Sequence, residues 1–311
     1  MLDALLERFR RGDRLALARL VSLVARGEGV AEALSAVGPP RKPARVVALT
    51  GGGGVGKSTL AGKLIEVARR HGQTVAVLAC DPQSPLSGGA LLGDRFRMPA
   101  QPDDGVFIRS LAAAGGRGAL AEHLDALVRL LEAFGFDLVL IETVGAGQGD
   151  TAVRDLVDVL VLLLQPETGD DLQWEKAGLL EVADVVVIHK ADMPGTERVE
   201  SQVLSSLGLS AAPAPPVLRV SARSGEGLDR LWEVIASAPL RRGARASARE
   251  LLRRAQEEVA ARFAAAERGR DSEWQSVIGR WQRGELQTEQ AASALLHLLG
   301  AAQPDNARKE E

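Results

Sequence analysis

Residues 45–59 read Arg-Val-Val-Ala-Leu-Thr-Gly-Gly-Gly-Gly-Val-Gly-Lys-Ser-Thr, and no other stretch limits the fold so sharply. Gly51, Gly56, Lys57 and Ser58 have the spacing G-x-x-x-x-G-K-[ST]. The run Val46–Leu49 has the length and β-branched content of a buried strand, and Leu60, Ala61, Leu64, Ile65, Val67 and Ala68 recur at helical spacing. A glycine loop between a strand and a helix is the context in which this spacing means phosphate binding. Gly51, Gly52, Gly53, Gly54, Val55 and Gly56 can turn their N–H groups inward without Cβ clashes. The helix entered at Lys57, Ser58 and Thr59 adds the positive end of its dipole. Lys57 is expected to neutralise the β- and γ-phosphates, and the Ser58 hydroxyl to ligate Mg²⁺. In the empty site Lys57 is expected to be a surface-facing charge, removable without harm to the fold.

Apolar runs follow at Thr74–Cys80, Val106–Arg109, Phe136–Ile141, Val159–Leu164, Val185–His189 and Val217–Val220, with helical patterning at 120–134 and 224–236. Strands alternating with helices predict an α/β fold: a P-loop NTPase with a mostly parallel sheet covered by helices. Ahead of it, residues 1–37 read as two short helices divided at Gly12-Asp13, with Asp13 as N-cap. The Pro-rich stretch 38–43 is a linker. From 241 onward the chain turns arginine-rich and helical, with Leu251, Leu252, Ala255, Val259 and Phe263 along one face, and further helices at 274–281 and 291–299. The predicted division is therefore 1–43, 44–240 and 241–311, the last a C-terminal helical extension ending in a loose tail.

Strand ends in an open α/β sheet face the ligand crevice. Asp81 ends the second apolar run, and Glu142 ends the fourth, in the Walker B position for holding Mg²⁺. Gly145 follows, where its N–H can approach a γ-phosphate. Asp94 and Arg97 sit together in a glycine-bearing segment. His189-Lys190-Ala191-Asp192 resembles the guanine-reading N-K-x-D element, with His in place of Asn. Asp192 would accept from guanine N1–H and N2–H₂, while Lys190 lies along the base face. Ser221-Ala222 resembles the S-A element, whose Ala222 N–H meets the guanine carbonyl. Together these predict GTP or GDP as ligand.

Composition excludes several classes. A net charge of −3 gives no basis for nucleic-acid binding. A single cysteine, Cys80, allows no disulfide framework and no Cys-based metal site, and fits a reducing cytoplasm. No apolar run is long enough for a membrane helix, and the charged N-terminus is not a signal peptide.

The segments L-A-C-D-P-Q-S-P, G-G-A-L-L-G-D-R-F-R-M, L-I-E-T-V-G-A-G-Q and G-D-D-L-Q-W-E-K-A-G, over roughly residues 10 to 240, resemble the MeaB/ArgK family. Those are SIMIBI-class GTPase chaperones of adenosylcobalamin-dependent acyl-CoA mutases. The resemblance implies a Mg-dependent GTPase, with Lys57, Asp94, Glu142 and Gly145 as catalytic residues. Ser58, Asp81, Asp94 and Glu142 would form the metal and water shell. Arg97 would lie on a first switch and Gln148 on a second. Asp170, Asp171, Trp174 and Lys176 would lie on a further switch that senses the mutase. A homodimer, through the C-terminal arm, is implied as well. His189 departs from the family's Asn and is expected to loosen the tie between base site and loop. Gly53 stands where Pro is frequent. A nickel-delivering GTPase and a ParA/MinD-like ATPase are the alternatives. The second needs a lysine where this chain has Gly52, and a nucleotide-bound switch without turnover also remains open.

Overall fold

The computed structural model describes residues 2–38, 40, 42–82, 105–113, 123–143, 153–166, 177–208, 214–241, 255, 259, 262, 263, 266 and 272–301. Two compact units divide the chain, Met1–Arg242 and Gly243–Glu311.

The first unit is built on a seven-stranded sheet. In chain order the strands are β1 (Arg45–Gly51), β2 (Val75–Pro82), β3 (Val106–Ala113), β4 (Leu138–Glu142), β5 (Val159–Leu164), β6 (Val185–His189) and β7 (Val217–Val220). Their order across the sheet is β3-β2-β4-β1-β5-β6-β7, with every pairing parallel. Successive side chains of β1 enter opposite faces. Val46 and Ala48 join the core under α1 (Leu2–Arg10), α2 (Arg14–Ala25), α3 (Val30–Val37) and α5 (Leu124–Phe134). Val47 and Leu49 join the core under α4 (Lys57–Arg70) and the last helix of the unit, α8 (Leu228–Ser237). A third cluster packs Leu162, Leu164, Val186 and Ile188 under α6 (Ala177–Val182) and α7 (Thr196–Leu207). Burial on both faces explains why the strands read as unbroken apolar runs.

Asp13 caps α2 as expected, accepting from the N–H groups of Leu15 and Ala16 at 2.8 and 3.1 Å. The N-terminal segment holds three helices where two were predicted. The third, α3, is short, starts on the left-handed Gly29 and buries only Ala33, so its apolar pattern is thin. Helix α7 was also missed, although Val199, Val203 and Leu207 keep helical spacing and are buried. Helix α8 begins at Leu228 rather than 224, because Ser221–Gly227 folds back on itself: Ser221 N–H donates to Glu226 O and Gly225 N–H to Ser221 O.

In the second unit, α9 (Ser272–Gln282) and α10 (Thr288–Ala301) are described. Phe263 packs edge-on against Trp274, with ring centroids 5.1 Å apart, while Val259, Trp281 and Leu296 are exposed. The predicted stripe is thus partly spent within the unit.

Candidate nucleotide site

The carboxyl ends of β1, β4, β6 and β7 carry the residues singled out from the sequence. The phosphate loop leaves β1 at Gly51, whose φ is 144° and whose added Cβ would lie 2.4 Å from the Leu163 carbonyl oxygen. Only glycine fits there. A Cβ added at Gly52, Gly53 or Gly54 would meet nothing within 4 Å, so packing does not demand the glycine that stands at 53 in place of a proline. Val55 is buried, and Gly56 turns left-handed into α4.

Lys57 departs from expectation. It is 8% exposed, and its Nζ donates to the carbonyls of Gly51 at 2.9 Å and Gly52 at 3.2 Å. The ammonium closes the loop across its own mouth, so it is a structural tie as well as a charge. Beside it, Ser58 Oγ donates to Glu142 Oε1 at 2.6 Å. Both residues are buried. The sheet makes this contact: Glu142 is in register with Leu49 of β1 and with Ala79 of β2. The next residue, Thr143, is 1% exposed, and its hydroxyl has no hydrogen-bond partner among the described residues. The sequence reading passed over it, and a threonine directly after a strand-end carboxylate was the available signal.

Asp81 lies in β2, in register with Ala112 of β3, and its side chain lies outside the described residues. So do Asp94, Arg97, Gly145, Gln148, Asp170, Asp171, Trp174 and Lys176.

On the other side of β1, β6 and β7 bring two turns together. Ser221 Oγ donates to Asp192 Oδ1 at 2.6 Å and accepts from the Ser224 N–H at 3.2 Å. The Ala191 N–H donates to Val220 O at 3.2 Å, which ties the turn after β6 to the end of β7. The Ser221 hydroxyl, then Asp192's own backbone N–H, hold the Asp192 carboxyl below its ordinary range. It therefore stays an ionised acceptor at neutral pH. Lys190 adopts φ 57°, a left-handed conformation uncommon for a side-chain-bearing residue. Ala222 is buried.

His189 closes the gap between the two halves. Its Nδ1 lies 2.8 Å from the Val55 carbonyl oxygen. The expected loosening is not seen: imidazole at this position still ties the base-side strand to the phosphate loop.

A hydroxyl–carboxylate pair thus stands at the phosphate loop, and an ionised Asp held by a serine stands at the ends of β6 and β7. The family model of the methylmalonyl-CoA mutase-associated GTPase MeaB matches residues 17–274. The chain belongs to this family. The match runs past residue 240, beyond the segments that carry the resemblance. A Pyrococcus abyssi protein named as a GTPase is 43% identical over 243 residues, 76% of this chain and 75% of that one. GTPase ArgK of Escherichia coli is 36% identical over 245 residues, 74% of this chain and 73% of the other. The mouse methylmalonic aciduria type A homolog, a mitochondrial protein, is 41% identical over 197 residues, 61% of this chain and 48% of its own length. Among solved structures, LAO/AO transport system kinase superposes with a TM-score of 0.65 at 27% identity, over 96% of this chain and 97% of the other. HypB from Helicobacter pylori, in complex with nickel, has a TM-score of 0.50 at 20% identity over 62% of this chain and 86% of that one, a likeness of the fold alone. As a member of this GTPase family with a P-loop GTPase fold, the protein hydrolyses GTP.

Proposed function

We propose that this GTPase is a chaperone that gates adenosylcobalamin loading and protects a B12-dependent acyl-CoA mutase of the methylmalonyl-CoA mutase type. The observation that carries the reading is the family match across 17–274, laid on a chain whose phosphate loop and base-reading turns meet at His189. Nickel delivery has less support. Such delivery needs a soft or imidazole metal site, whereas Cys80 is the single cysteine and His71, His123, His189 and His297 show no close spacing.

Magnesium fits the donor set, because the Ser58 hydroxyl and Glu142 carboxylate are hard oxygens already in contact at the loop. When bound it would offset charge on the β- and γ-phosphate oxygens. The chain's own groups do the rest. The loop N–H groups cradle the phosphates, and Lys57 turns from the Gly51 and Gly52 carbonyls toward them. Asp192 with Ala222 reads guanine. We assign Asp81 and Asp94 to the metal shell, with Arg97 beside them on the first switch, and the Gly145 N–H to the γ-phosphate. Ala146 follows Gly145, and the nearest glutamine is Gln148, so no glutamine directly follows the switch glycine to orient the attacking water. Intrinsic turnover is therefore slow, and a partner that contacts Asp170, Asp171, Trp174 and Lys176 orders the switches.

We further assign the second unit to homodimerisation, supported by the exposed apolar side chains of Val259, Trp281 and Leu296. The site of action in this reading is the cytoplasm. No described helix is long and apolar enough to cross a membrane.

The test is the GTPase rate with and without an adenosylcobalamin-dependent acyl-CoA mutase, for the wild type and Lys176→Ala. The mutase should accelerate the wild type, and the variant should lose more of the stimulated than of the basal rate. A wild type already fast alone and indifferent to the mutase would sink the chaperone reading. Equal losses in Lys176→Ala would sink only the switch assignment.

A further inference from the structure

His189 meets the phosphate loop in two ways. Its Nδ1 is 2.8 Å from the Val55 carbonyl oxygen. A carbonyl only accepts, so the neutral ring carries its proton on Nδ1 and its lone pair on Nε2. The ring also presses on the next residue: a Cβ added to Gly56 would stand 2.6 Å from both Nδ1 and Cε1. The residue is 3% exposed, and Nε2 is buried with no hydrogen-bond partner among the described residues. The charged groups acting on the ring are Lys190 and Asp192, both from its own turn. Asp192 has turned its Oδ1 to Ser221. From the loop side the nearest charge in sequence is Lys57, whose ammonium is bonded to the Gly51 and Gly52 carbonyls.

We propose that His189 is a positioning residue of the phosphate loop that works only as the neutral ring, so that nucleotide binding weakens as pH falls. This rests on the reading of the loop as a guanine-nucleotide site. Protonation would leave the Nδ1–H bond to Val55 intact and would place a charged N–H at Nε2, where no acceptor stands among the described residues. An unpaired charge of that kind is not tolerated in a buried position. The ring would leave to hydrate it, and the support of Val55 and Gly56 would leave with it. Burial pushes the ring's pKa down and Lys190 adds to this, while the bond to Val55 and the charge of Asp192 oppose it. The sign follows. The seated ring has a lowered pKa, so the seated state is fully available above the ordinary histidine value of about 6.5. It is lost progressively as pH falls below that value.

The experiment measures the dissociation constant of a fluorescent GDP for the wild type and His189→Asn, across about pH 5.5 to 8.5, the range in which histidine changes charge. Asparagine offers Val55 an amide N–H and does not titrate. The ratio of the two constants therefore removes the titration of the nucleotide's own phosphate. The ratio of wild type to variant should be constant above about pH 7. On the acid side it should rise by up to about tenfold per pH unit, as the competent fraction shrinks. A ratio that stays constant overturns the proposal. So does a ratio that falls on acidification, which would mean that Nε2–H donates to the nucleotide. Ring ¹⁵N spectra of the nucleotide-free protein give an independent reading. A proton on Nδ1 and a pKa below about 6.5 support the proposal, and an Nε2–H tautomer overturns it. Failure of the wild type to bind GDP at pH 8 would remove the nucleotide reading instead, and the ring spectra would still decide the role of His189.

Discussion

Asp192→Asn should exchange guanine for xanthine, and the structure fixes the direction. Ser221 Oγ accepts from the Ser224 N–H and spends its own hydrogen on Asp192 Oδ1. An amide placed there keeps that hydrogen bonded by turning its carbonyl oxygen to Ser221. Its NH₂ then takes the place of Oδ2, which in the wild type lies 3.9 Å from Arg223. Guanine would present donors, N1–H and N2–H₂, to this new donor. Each bond to a charged acceptor contributes about 1.5–3 kcal/mol, so losing both costs about 3–6 kcal/mol. Sites built on such bonds discriminate by roughly 10⁴-fold. A loss of GTP affinity of about 10³-fold is expected, with xanthosine triphosphate gaining because its C2 oxygen accepts from the amide. The assay is competition against a fluorescent nucleotide by GTP, ATP and xanthosine triphosphate. Adding Ser221→Ala should blunt the gain for xanthosine triphosphate, since nothing then selects the amide orientation. Retention of GTP affinity within about threefold in Asp192→Asn would refute the reasoning, because it allows little more than about 0.7 kcal/mol for both bonds. Equal binding of ATP and GTP by the wild type would refute the guanine assignment itself.

Lys57→Ala should abolish hydrolysis and also lower stability by about 1–3 kcal/mol, because Lys57 bonds two loop carbonyls while buried. Thermal melts without nucleotide check this, and an unchanged melting temperature would show that the tie contributes nothing. Deleting residues 245–311 should convert a dimer to a monomer by light scattering, and a wild type that is already monomeric would contradict the assignment of the second unit.

Much of the first unit was legible in the sequence because its signals are local. Parallel strands covered on both faces must be continuous apolar runs, and Val159–Leu164, Val185–His189 and Val217–Val220 occupy the predicted residues. The glycine loop is legible for a similar reason: at Gly51 the left-handed turn and the Leu163 carbonyl exclude any other residue. Helices α3 and α7 escaped although both carry a helical period: α3 is short and buries only Ala33, and α7 interleaves Val199, Val203 and Leu207 with polar residues.

What the sequence could not contain is which strand lies beside which. The contact of Ser58 with Glu142 spans 84 positions, and that of His189 with Val55 spans 134. Both depend on β4 and β5 flanking β1, with β6 following β5. From spacing alone, His189 read as a weakened substitute and Lys57 as an exposed charge. Packing reversed both, because the imidazole is long enough to reach the Val55 carbonyl and the ammonium reaches back to the carbonyls of Gly51 and Gly52, so each settles on the backbone of the same loop. Residue identity named the chemistry of each side chain, and strand order determined which of them met.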